Sequence, residues 1–159
     1  MSKPLTYLII HCTATPEGRE VTSDEIRRWH TAPKPKGRGW KQVGYSDLIH
    51  LDGTVENLVG YNDDDIVDSW EITNGAKGYN SISRHVVYVG GLNANKKPFD
   101  TRTWSQELSM ITYVRNFISK HPDARIAGHN QFSAKACPSF NVPKWLRAIG
   151  IPEKNIHTK

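Results

Sequence analysis

The sequence predicts an α/β fold, a single compact domain with a central mixed β-sheet flanked by helices. Short β-favouring apolar runs alternate along the chain with stretches that open on helix-capping signals. A hairpin signal sits among them, so a closely connected strand pair joins strands that are separated by helices. The length of 159 residues suits one domain, here residues 1–159 with a core over about 5–150. A chain of that size buries roughly two thirds of its unfolded surface and needs no covalent staples.

The first strand is read at Leu5-Thr6-Tyr7-Leu8-Ile9-Ile10, a run of the kind buried on both faces of a sheet, ending at His11-Cys12 with Pro16 shortly after. Thr22-Ser23-Asp24-Glu25 places a Thr three residues before a Glu, a capping box that opens a short helix to about Trp29. Pro33, Pro35, Gly37 and Gly39 lie among basic residues, which makes 32–40 an exposed loop. Residues 45–51 and 55–59 flank Asp52-Gly53, a hairpin signal because glycine tolerates the positive φ of a tight turn. An irregular connection follows, with Asn74-Gly75 within it, and then a buried strand at Val86-Val87-Tyr88-Val89. Thr103 with Gln106 caps a second helix, whose Leu108, Ile111, Val114 and Ile118 recur at helical spacing until Pro122. Arg125-Ile126-Ala127 is a short strand leading to Gly128-His129, and Asn141-Val142-Pro143 begins a last helix ending near Gly150.

The composition excludes several classes. A hydrophobic share of 37% and a charged share of 23% do not describe a disordered or collagen-like chain. Two cysteines cannot build a disulfide framework. The first apolar run is far shorter than the roughly 20 residues of a membrane span and lacks the form of a signal peptide. The expectation is a chain made in the cytoplasm that is not an integral membrane protein. A net charge of +5 suits an anionic partner without naming one. No paired zinc-finger ligands or RNA-binding aromatic strand motif accompany that charge, which argues against a specific nucleic-acid partner.

His11, His129 and Cys137 are the candidate metal ligands. Two imidazoles and a thiolate suit zinc, and three protein ligands leave a fourth position open, the pattern of a catalytic site. Spacing alone leaves a second reading standing, in which both histidines are hydrogen-bonded near the core and Cys137 is a small apolar residue. Side chains alternate across a strand, so with His11 facing a site its neighbour Cys12 packs in the core. A Cys12–Cys137 disulfide is disfavoured in a reducing compartment and would consume the thiolate. By residue type alone, Tyr45 is a strand aromatic and Lys135 a surface charge.

Several blocks carry a resemblance. Ile9-Ile10-His11-Cys12-Thr13-Ala14-Thr15, Val43-Gly44-Tyr45, Asp52-Gly53-Thr54-Val55-Glu56, Ala76-Lys77-Gly78-Tyr79-Asn80, and Gly128-His129 with Lys135-Ala136-Cys137-Pro138-Ser139-Phe140 occur in one order. In that order the chain resembles the zinc-dependent N-acetylmuramoyl-L-alanine amidases of type 2, particularly their compact T7-type phage members, which are related to peptidoglycan recognition proteins. The resemblance implies that His11, His129 and Cys137 hold Zn2+ and that Tyr45 and Lys135 assist catalysis. It departs at Ser46, where the family has His, at Gly75, where a His is common, and at His85, where a small Gly is usual.

The resemblance also implies a substrate, the amide between N-acetylmuramic acid and L-alanine in peptidoglycan. The expectation is a monomer that reaches the wall after release or delivery. Lys135 would stabilise the oxyanion, and Tyr45 would orient or exchange a proton. A recognition module of the same fold without hydrolysis is the alternative, and such binders typically lose the cysteine that is present here. Trp29, Trp40 and Trp70 are candidates to line a groove, Asn80 to touch the peptide or shape a turn, and Lys34-Pro35-Lys36-Gly37-Arg38 to approach anionic polymer or remain a solvated loop.

Overall fold

The computed structural model describes residues 2–159. In chain order the strands are β1 (Lys3–Pro4), β2 (Tyr7–Cys12), β3 (Thr15–Pro16), β4 (Asp47–Ile49), β5 (Val55–Asn57), β6 (Ile66–Val67), β7 (Ser83–Tyr88), β8 (Gly91–Leu92) and β9 (Arg125–Gly128). The α-helices are α1 (Ser23–Thr31), α2 (Trp104–Lys120) and α3 (Val142–Ala148). Five strands form the central sheet in the order β5-β4-β7-β2-β9. β4, β7, β2 and β9 run parallel, and β5 returns antiparallel to β4 through the Asp52-Gly53 turn. The mixed sheet is therefore as the sequence predicts.

Two strands differ from expectation in extent. β2 runs on through His11 and Cys12, because its ladder with β7 continues to His11↔Val87 and Cys12↔Tyr88. His11 thus lies within the strand and not just beyond it. β7 begins at Ser83, so His85 is also a sheet residue, paired with Ile9. Both are central strands, and residues 8–12 and 83–88 are all buried.

Alternation along these strands divides the interior. Leu8, Ile10, Cys12, Val86, Tyr88 and Ile126 face Met110, Val114 and Phe117 of α2 and Trp145 and Leu146 of α3. The opposite face is thinner, with Leu48, Val87 and Val89 packing on Val21 and Ile26 beneath α1. His11 and His85 belong to this second face, which leaves room beside α1 for a cleft.

The capping boxes form as read. Thr22 Oγ1 accepts from Glu25 N–H, Thr103 Oγ1 accepts from Gln106 N–H, and in each case the partner side chain accepts from the cap's own N–H. The buried stripe of α2 is Gln106, Met110, Val114 and Phe117, whereas Leu108 is 47% exposed. Both sets have helical spacing. The decision falls to Gln106, whose Nε2 donates to Val89 O at 2.9 Å, satisfying a carbonyl at the end of β7 and turning that face inward. The hairpin tip docks on the same helix: Gly53 has φ +88°, and an added Cβ would stand 2.7 Å from Ser105 O. Glycine is needed there on both counts.

At the start of β4 the buried Asp47 carboxylate accepts from Tyr61 Oη at 2.6 Å, Asn57 Nδ2 at 3.0 Å and Tyr113 Oη. Three donors compensate a carboxylate taken out of water, and burial beside that charge pushes the Tyr61 phenol up to about 12. The sheet edge next to Tyr45 is thereby pinned to α2.

Candidate metal centre and cleft

His11 comes from β2, His129 from a 3-10 turn (His129–Gln131) directly after β9, and Cys137 from the loop leading to α3. Their nearest ligand atoms lie within 4.8 Å of one another. Cys137 Sγ is 3.8 Å from His11 Nδ1, and the two imidazole centroids are 4.7 Å apart. The turn that carries His129 is held by Gln131, whose Oε1 accepts from Gly128 N–H at 2.8 Å while its Nε2 donates to His157 O at 2.7 Å. Cys12 N–H donates to Cys137 Sγ at 3.2 Å, a contact that favours charge on the sulfur. Cys12 and Cys137 are both free thiols, and the Cys12 side chain packs in the α2 core as strand alternation predicts.

The donors are prepared as neutral nitrogens. Burial, followed by the nearby His85 and His129, holds the His11 imidazole well below its usual range. Burial and then Lys135 lower His129. Burial takes His85 down to about 3, and burial with the Arg38 guanidinium takes His30 down to about 4. At neutral pH these rings carry lone pairs and no charge, as metal ligation requires. The hydrogen bond with Cys12 and burial raise the Cys137 thiol, so this sulfur needs a cation to ionise fully.

The centre opens onto a cleft of about 740 Å³ whose walls include Tyr45, Lys135, Trp40, Arg38, Lys41 and Lys77. Four cations and no carboxylate line it among the described residues. The Tyr45 ring lies 5.1 Å from that of His11, and burial raises its phenol, so it stays protonated. His30, on the last turn of α1, accepts Gly44 N–H at 2.9 Å through Nδ1, and its ring lies 5.2 Å from that of Tyr45. α1 thereby sets the position of the loop that presents Tyr45.

A family described as N-acetylmuramoyl-L-alanine amidase matches residues 1–140. The chain belongs to that family. It is 37% identical to the endolysin of Enterobacteria phage K11, over 89% of this chain and 85% of that one. It is 36% identical to the endolysin of Escherichia phage T7, over 87% of this chain and 83% of that one. Among solved structures, the Ph2119 endolysin from a Thermus scotoductus bacteriophage shares the fold, with a TM-score of 0.69 and 22% identity over 98% of this chain and 87% of that one.

All five candidate residues of this amidase-family chain converge: His11, His129 and Cys137 cluster, while Tyr45 and Lys135 line the same cleft. Of the three tryptophans considered for the groove, only Trp40 lines it. Trp29 lies beside Arg19 on the outside of α1, and Trp70 is 56% exposed elsewhere. In the basic loop, Arg38 reaches the cleft and sits over the Trp40 ring at 5.0 Å, while Lys34 and Lys36 stay in solvent. Asn80 lines the cleft and also shapes a turn, its Oδ1 accepting from Ala76 N–H at 2.8 Å. Ser46 is buried and outside the lining, its N–H donating to His85 O at 2.9 Å. Sequence reasoning missed His30 and treated His85 only as a departure. For His85 the available signal was an imidazole directly ahead of the apolar run Val86-Val87-Tyr88-Val89.

Proposed function

We propose that this chain is a zinc-dependent peptidoglycan hydrolase that cleaves the amide between N-acetylmuramic acid and L-alanine, with Zn2+ held by His11, His129 and Cys137. The observation that carries the reading is the convergence of two neutral imidazoles and one thiol beside a cleft lined by four cations and, among the described residues, no carboxylate. Two nitrogens and one sulfur suit a borderline-soft ion, and a set of three leaves room for substrate. Zinc, when bound, supplies Lewis-acid polarisation of a carbonyl and acidification of water.

The remaining chemistry falls to the chain's own groups. With no acidic side chain among the described residues of the lining, proton handling and charge stabilisation rest with Tyr45 and Lys135. The Tyr45 phenol, held protonated by burial, donates to the substrate carbonyl oxygen and orients it. The Lys135 ammonium neutralises charge developing on that oxygen. Arg38, Lys41 and Lys77 receive the carboxylates of a peptide stem. The name endolysin borne by the phage relatives extends the proposal to lysis of the cell wall, with peptidoglycan reached after release or delivery.

Metal analysis beside turnover on purified muropeptides tests the reading. About one zinc per chain and release of free peptide, abolished by a chelator and restored by Zn2+, is the expected result. Cys137→Ser and His129→Ala are expected to lose both metal and turnover. Full activity of the metal-free protein would overturn the proposal, and tight muropeptide binding without product release would make the chain a recognition module.

A further inference from the structure

His11 turns Nδ1 toward Cys137 and Nε2 back into the protein, where it lies 2.8 Å from His85 Nδ1. His85 Nε2 lies in turn 3.1 Å from Asn80 Oδ1. That Asn80 atom is the amide oxygen, because it also accepts Ala76 N–H at 2.8 Å. The protons along the chain follow by elimination. An oxygen only accepts, so His85 Nε2 carries the hydrogen. A neutral His85 then offers a bare Nδ1, which can only accept. His11 Nε2 must therefore carry its ring's hydrogen, and His11 Nδ1 keeps its lone pair on the side of Cys137.

The arrangement depends on one glycine. A Cβ on Gly75 would stand 2.6 Å from His85 Nδ1 and 2.7 Å from Gly44 O, so only a residue without a side chain leaves the His85 ring its slot. Gly75 and His85, two separate departures in the sequence, are thus one packing solution. His85 is 0% exposed and lies behind His11, outside the cleft lining, so it does not meet substrate directly.

We propose that His85, oriented by Asn80, is a positioning residue that locks His11 in the Nε2–H tautomer and presents its Nδ1 as a ready metal ligand. The relay works before any ion arrives, although its purpose rests on the zinc reading above. Partners of this kind on a ligand's second nitrogen fix ring orientation and raise its basicity.

The test uses 15N-labelled, metal-free protein at neutral pH, with the tautomer of each histidine read from long-range 1H–15N correlations. His11 is expected as a single Nε2–H species in the wild type, and as a mixture in His85→Ala. Zinc affinity, measured by competition with a chromophoric chelator, is expected to fall about 10- to 100-fold in His85→Ala and in Asn80→Leu. An Nδ1–H or mixed His11 in the wild type would overturn the relay whether or not the variants fold. So would unchanged zinc affinity in a folded His85→Ala. Absence of zinc binding by a wild type that shows the expected tautomer would strike the zinc reading and leave the proton order standing.

Discussion

Replacing His30 by Leu removes the acceptor of Gly44 N–H while keeping similar bulk under α1. His30 Nδ1 accepts that N–H at 2.9 Å in a pocket where the imidazole is 8% exposed. Orphaning the Gly44 N–H costs about 1–3 kcal/mol at neutral pH. The size of the loss depends on pH in a way the structure sets. Burial, with Arg38 second, lowers His30 to about 4 in the folded chain, against about 6.5 when unfolded. An imidazole shifted down contributes stability that is complete above the unfolded value and lost as pH falls toward the folded one. Between about pH 7 and about pH 5 the wild type should lose about 2 kcal/mol at this position. His30→Leu has nothing there to titrate, so the stability gap between the two proteins should nearly close at about pH 5. Urea unfolding of both proteins at the two pH values reads the gap directly, and the other histidines cancel in the difference. A gap of constant size would show that His30 is not held neutral by burial and would remove the reason given for its grip on the Tyr45 loop.

Further outcomes follow from the same structure. Lys135→Ala and Tyr45→Phe should keep zinc in a metal assay while lowering kcat, by a factor on the order of 100 for loss of an oxyanion donor. Lys135→Ala with full activity would refute its role. Met110→Ala, at a side chain with no exposure, should cost about 2–5 kcal/mol in chemical denaturation, whereas Leu108→Ala should cost less than about 0.5. Reversed costs would place the buried face of α2 wrongly. His50 is lowered by burial, but hydrogen bonds to Glu56 and Glu20 outweigh this and raise it. A raised imidazole stabilises below its unfolded value, with the effect lost as pH rises through the folded value. The stability lost in His50→Gln should therefore grow from about pH 8 to about pH 6, by less than about 1 kcal/mol at so exposed a pair of carboxylates.

Much of the architecture was legible residue by residue. Thr22 with Glu25, Thr103 with Gln106, and Asn141 ahead of Pro143 mark helix starts because caps act within four residues of chain. Asp52-Gly53 marks the hairpin because a positive φ is a local demand. The alternation that puts Cys12 in the core and His11 on the other face is local too. The residue types of His11, His129 and Cys137 were enough to name a zinc-suited donor set, but not to show that they meet.

Their meeting is a property of the sheet. His11 and His129 stand 118 positions apart, and their ring centroids lie 4.7 Å apart because β9 pairs in parallel beside β2 and delivers the turn after it to the same end. No local pattern encodes that strand order. The same holds where two patterns of equal periodicity compete, as on α2, and where solvent contact depends on distant packing, as with Trp40 in the cleft and Trp70 outside it. The slot shared by Gly75 and His85 belongs to this second class. Short-range sterics and hydrogen bonding determine which elements form and which way their side chains point. Only the packing of those elements on one another decides which side chains come within bonding distance.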